Sequence, residues 1–204
     1  MRQVSLFIEW LIIFIVTPFI IFLELVPLPK LAIMLIPFFY TLMIFFSIKS
    51  TPLKAVVTYR FIWIISIRLI ISAALLLLLT YSLYPQKLFI VLKTRPLLLG
   101  VILVLYPVFS ALPQEFIYRR FYFERYTSVF TSTKVLIGTN ILTFSFLHII
   151  YDNWLTVGLT FVAGIYFVYT YVKTKSFLLT WIEHSLYGQI IFLVGLGSFF
   201  YEGV

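Results

Sequence analysis

Residues 61–84 read FIWIISIRLIISAALLLLLTYSLY, and Arg68 is the only charge among them. A helix that crosses a hydrocarbon layer of about 30 Å needs about 20 mostly apolar residues, because each adds about 1.5 Å of rise. This stretch has that length, contains neither proline nor glycine, and has no polar face to offer water. It reads as a membrane span. Working outward, the same criterion finds six further segments near 6–28, 31–48, 97–112, 134–151, 154–172 and 176–196. The expected fold is all-α, a polytopic transmembrane helical bundle of about seven (six to eight) spans.

Composition points the same way. The 204 residues are 63% hydrophobic and 11% charged, against roughly 25% charged in an ordinary soluble domain. A soluble fold of this length cannot cover that much apolar surface, which excludes a cytosolic enzyme or a secreted domain. Cysteine is absent, so disulfides, thiolate nucleophiles and Cys-based metal sites are excluded. The net charge of +8 comes from Lys and Arg scattered between apolar runs. That distribution fits lipid headgroups and membrane topology, with no nucleic-acid partner.

Seven spans use roughly 140 residues, which leaves room for one integral membrane domain over 1–204. The first run has no small-residue cleavage site and reads as a retained span. Cytoplasmic loops keep Lys and Arg. With seven spans, the N-terminal side holds Arg2, Lys49, Lys54, Arg60, Arg119, Arg120, Arg125, Lys134, Lys173 and Lys175. The opposite side holds Lys30, Lys87, Lys93 and Arg95. The expected orientation puts the N-terminus in the cytoplasm, in the plasma or bacterial inner membrane.

Polar side chains at membrane depth are costly and are usually paired and turned inward. Three groups stand out. In Pro113-Gln114-Glu115-Phe116-Ile117-Tyr118-Arg119-Arg120, the proline suggests a helix start. Glu115 and Arg119, four apart, then share a face and pair. Spacing alone fits an interfacial anchor equally well. In Phe144-Ser145-Phe146-Leu147-His148, an imidazole closes an apolar span. Ile182-Glu183-His184-Ser185-Leu186-Tyr187-Gly188-Gln189 sets a second imidazole in the last span. A lone histidine is usually a packing residue, but both histidines of the chain lie in apolar helices, and imidazole suits proton transfer near neutral pH. Glu9, Glu24 and Arg68 are further intramembrane charges, with Glu24 and Arg68 weighed as structural partners. Gly195 and Gly197 read as close-packing or helix-ending positions.

Taken in order, Gln114-Glu115-x-x-x-Arg119, Phe144-x-x-x-His148 and His184-x-x-x-Gly188 resemble the CPBP or Abi family, the type II CAAX prenyl endopeptidases and their bacterial relatives. The resemblance covers roughly 95–204, the expected catalytic core. It implies an intramembrane glutamate-dependent endopeptidase acting on a membrane-anchored protein or peptide. By that resemblance Glu115 and His148 hold the attacking water, His184 faces the oxyanion, Arg119 orients Glu115, and Phe144 packs the pocket. A carboxylate in a low-dielectric cavity is a stronger base, and preorganised donors stabilise a developing oxyanion.

Two positions depart from the family pattern. Gln114 replaces the first glutamate, and an amide accepts no proton as a base. Gly188 replaces the asparagine of the third motif, so oxyanion support falls to His184, a backbone N–H, Gln189 or Asn140. No cofactor is required by this mechanism. Zinc is the alternative that the metalloprotease label of some relatives suggests, with Glu115, His148 and His184 as ligands, although no His-Glu-x-x-His is present. Two other functions fit the residues: a non-catalytic membrane binding or immunity protein, and a small transporter relaying protons through the same side chains.

Overall fold

In a computed structural model, residues 2–27, 30–48 and 54–200 are described. Lys49, counted above toward orientation, lies outside them. All the regular structure among the described residues is helical. The helices are α1 (Arg2–Phe22), α2 (Lys30–Ser47), α3 (Tyr59–Leu83), α4 (Pro96–Arg125), α5 (Thr133–Tyr151), α6 (Trp154–Thr174) and α7 (Phe177–Val194). Six of them are long and apolar enough to cross a membrane, and α2 carries a shorter apolar stretch. Short helical turns at Pro85–Lys87 and Ile90–Thr94 separate α3 from α4. The chain is an integral membrane protein with the expected all-α polytopic architecture.

One boundary differs from expectation. Pro113 does not begin a helix; it sits inside α4, which runs unbroken from residue 96 to 125. A proline inside a helix removes an N–H and drives its ring at the carbonyl four residues back. Here that carbonyl belongs to Phe109, within a π-helical turn at Pro107–Ala111. The same arrangement recurs in α1, where Pro18 follows the π turn Ile12–Val16. The wider π turn gives the ring room, so the helix continues.

The chain divides into two compact units, 1–53 with 114–169 and 54–113 with 170–204. The first contains α1, α2, the C-terminal part of α4, α5 and most of α6. Its core is aromatic. Tyr118, Tyr122 and Tyr126 recur every four residues down one face of α4, and the fully buried Phe14 of α1 meets all three edge-on at 5.1, 5.1 and 5.8 Å. Glu9 ties three segments together: it accepts from Arg125 through both oxygens, at 2.9 and 2.7 Å, from Tyr126 at 2.9 Å and from Tyr40 of α2 at 3.1 Å.

The second unit packs α7 on α3 and on the N-terminal part of α4. Pro107 has no N–H to return to the Leu103 carbonyl, and Gln189 of α7 donates to that oxygen at 2.7 Å. Trp181 donates to the Pro107 carbonyl at 2.7 Å. Arg68 of α3, weighed above against Glu24, meets Glu183 of α7 at 2.8 Å and donates to the Thr170 hydroxyl at 2.7 Å. Elsewhere α3 exposes Trp63, Ile70, Leu75 and Leu78, an outer face suited to lipid.

Candidate active site

Glu115 and Arg119 lie together in the first unit, both fully buried, with the guanidinium Nε 3.3 Å from the carboxylate. The sequence brings them together by a one-turn spacing, and a π turn at Phe116–Phe121 sets the backbone between and beyond them. Arg119 also donates from Nη1 to Asn140 Oδ1 at 2.8 Å, and Asn140 donates from Nδ2 to the Tyr118 carbonyl at 2.6 Å. Its guanidinium lies over the rings of Phe144 and Phe167, at 5.0 and 5.9 Å from their centres. Arg119 is therefore held by a carboxylate, an amide and two aromatic faces. The neighbouring Arg120 points elsewhere, to Glu124 at 3.2 Å.

His148 belongs to the same unit. It lies 5.1 Å from the Phe144 ring, edge-on, and its Nδ1 is 2.8 Å from the Phe144 carbonyl. That contact fixes the ring and leaves Nε2 as the nitrogen for chemistry, with Nδ1 carrying the proton. Phe144, expected as a packing residue, separates Arg119 from His148 and touches both. The arrangement sets a carboxylate steadied by a cation on one side of an aromatic ring and a neutral imidazole on the other.

His184 lies in the second unit, buried on α7. Its ring stands edge-on to Tyr106 of α4, with centres 6.1 Å apart. Gly188, one turn further along α7, lies under the same Tyr106 ring: a Cβ there would overlap Tyr106 Cε1, Cζ and the hydroxyl oxygen. Gln114 is buried beside Glu115 in the chain. Among the described residues, no three His, Cys, Asp or Glu side chains form a group that could hold a metal ion. The cationic neighbour of Glu115 is Arg119.

Sequence reasoning gave Glu183 and Tyr106 no role and gave Asn140 a different one. Glu183 was visible inside the third motif, but its partner Arg68 is far away in the chain and no spacing signals the pair. Asn140 was noted as a substitute donor for the oxyanion, whereas its carboxamide is committed to Arg119 and the Tyr118 carbonyl. Gln189 was noted likewise, and its amide is committed to the Leu103 carbonyl. Tyr106 gave no signal, being one aromatic among many near span ends.

No curated protein and no solved structure gives a significant match to the chain. A family model does, and it spans every motif quoted above: over residues 95–190 the chain matches the Rce1-like family of type II CAAX prenyl endopeptidases, which is the family that those motifs resemble.

Proposed function

We propose that the protein is an intramembrane endopeptidase that hydrolyses a peptide bond of a membrane-associated protein or peptide. At family level the match supports a CAAX-protease-like enzyme in a lipid environment. The observation that carries the reading is the fully buried Glu115, held by Arg119 at 3.3 Å on a π turn. A buried carboxylate is costly unless paired, and π turns recur at functional sites. With Gln114 unable to accept a proton, the base is Glu115.

In the proposed reaction, Glu115 and His148 hold a water molecule. Its oxygen bonds to the scissile carbonyl carbon while one of its protons passes to Glu115, and the carbonyl oxygen becomes an oxyanion faced by His184. Glu115 then returns the proton to the amide nitrogen as the C–N bond breaks, giving a carboxylate and an amine. Arg119 acts through Glu115 as a positioning residue. The proposed setting is the plasma or bacterial inner membrane, with the N-terminus cytoplasmic. The proposed partner is a membrane-anchored substrate.

The test compares peptide termini in membrane fractions from cells lacking the protein and from cells complemented with wild type or Glu115→Gln at equal expression. New termini that depend on wild type and vanish in the variant are expected. Identical termini in the two complemented strains would sink the proposal. One feature favours a second reading, a family member that binds without turnover: Gly188 offers no side-chain donor. Proteolysis that emerges only in Gln114→Glu would establish that reading.

A further inference from the structure

His184, Gly188 and Phe192 recur every four residues along one face of α7, and the Tyr106 ring lies along that stripe. It stands edge-on to His184 at 6.1 Å and to Phe192 at 5.9 Å, with its far end over Gly188. The atoms that a Cβ at Gly188 would overlap are Cε1, Cζ and the hydroxyl oxygen. The hydroxyl is therefore the polar group one helical turn from His184, on the face where α7 itself provides none.

We infer that Tyr106 is a catalytic residue of this site, its hydroxyl donating a hydrogen bond to the tetrahedral oxyanion beside His184. The inference rests on the endopeptidase reading. As the water oxygen bonds to the carbonyl carbon and a water proton passes to Glu115, negative charge collects on the former carbonyl oxygen. Tyr106 shares its O–H proton with that oxygen and keeps it. When the carbonyl re-forms, the C–N bond breaks and the amine leaves with the proton from Glu115. A phenol suits this task because it donates without ionising at neutral pH. The two flanking rings and Gly188 fix it in place, which is the preorganisation that makes such a donor effective.

Gly188 has a part in this arrangement. Any side chain there would push the phenol away, so the glycine and the tyrosine form one unit in which the donor reaches α7 from α4. That unit is testable by exchange. Tyr106→Phe keeps the ring against His184, Gly188 and Phe192 and removes only the O–H. On a peptide spanning a Glu115-dependent cleavage site, it is expected to lower kcat by about 10²-fold, with KM and the melting temperature of the purified protein unchanged. Gly188→Asn alone clashes with the ring and is expected to lose stability and activity. Tyr106→Ala with Gly188→Asn vacates the space and supplies an amide N–H from α7, and it should cleave at least tenfold faster than Tyr106→Ala alone.

Cleavage that vanishes in Glu115→Gln but keeps its kcat in Tyr106→Phe overturns this inference and spares the endopeptidase reading. A raised KM with unchanged kcat in Tyr106→Phe also overturns it, since the hydroxyl would then be binding substrate in its ground state. Wild-type cleavage that Glu115→Gln leaves intact overturns both.

Discussion

Arg119 has no exposed surface, and it divides its guanidinium among Glu115, Asn140 and the faces of Phe144 and Phe167. A planar fork can serve an amide and a carboxylate while stacking on a ring, whereas an ammonium cannot do all three. Arg119→Lys is therefore expected to keep the charge and lose the geometry: cleavage falls at least tenfold, and the melting temperature in detergent drops. Arg119→Ala leaves Glu115 buried without its cation, and breaking such a pair costs about 3–5 kcal/mol. It is expected to unfold well below the lysine variant, and thermal melts of the two proteins check the order. The four-residue spacing made the Glu115–Arg119 contact legible in the chain. The role of Asn140 was not, because an asparagine within an apolar span shows only that it needs partners, not which ones.

Element boundaries follow from hydropathy where a helix faces lipid. All seven expected segments have a helical counterpart, and α3 ends within two residues of its expected bounds. The failure at Pro113 has a physical source. Proline punctuates a helix only if nothing else accommodates its ring and the carbonyl it leaves behind. In α4 a π turn and the side chains of α7 do both, and neither is written in the local sequence. This argues for a specific coupling between Pro107 and Gln189. Gln189→Leu strands the Leu103 carbonyl and should cost about 1–3 kcal/mol. In Pro107→Ala the backbone recovers an N–H, so the double variant should lose much less than the sum of the two single changes. A double-mutant cycle by thermal or denaturant unfolding measures that coupling. The Arg68–Glu183 pair illustrates the complementary limit: long-range pairing in the chain leaves no periodic trace, so only the fold reveals it.

For the whole molecule, the distribution of Lys and Arg predicts which loops face the cytoplasm. The chain has no cysteine, so single-cysteine variants need no background removed. Ser128 and Gln86 are both exposed, in the α4–α5 loop and between α3 and α4. Ser128→Cys is expected to react with a membrane-impermeant thiol reagent only after the cytoplasmic side is opened, and Gln86→Cys in intact cells. Reversed labelling would invert the topology. Fold class, span positions and three site motifs were all legible because lipid imposes one rule, apolar residues over a fixed length, and chemistry at depth imposes another, few and paired polar groups. Tyr106 escaped both rules, since an aromatic residue near a span end satisfies the first without breaking the second.

The π turn at Phe116–Phe121 bears on how this chain can change in length. A π turn holds about one residue more than the α turn it replaces, so the stretch from Glu115 to Tyr126 has its phase set by residue count as much as by residue type. Removing a single residue there would relax the backbone to ordinary α geometry and rotate everything beyond it by about 100°. The tyrosine stripe would leave Phe14, and Arg125 would leave Glu9. Substitutions in this stretch are local events, but a one-codon deletion is a rearrangement of the whole first unit, so this surplus residue is the part of the chain least free to be lost.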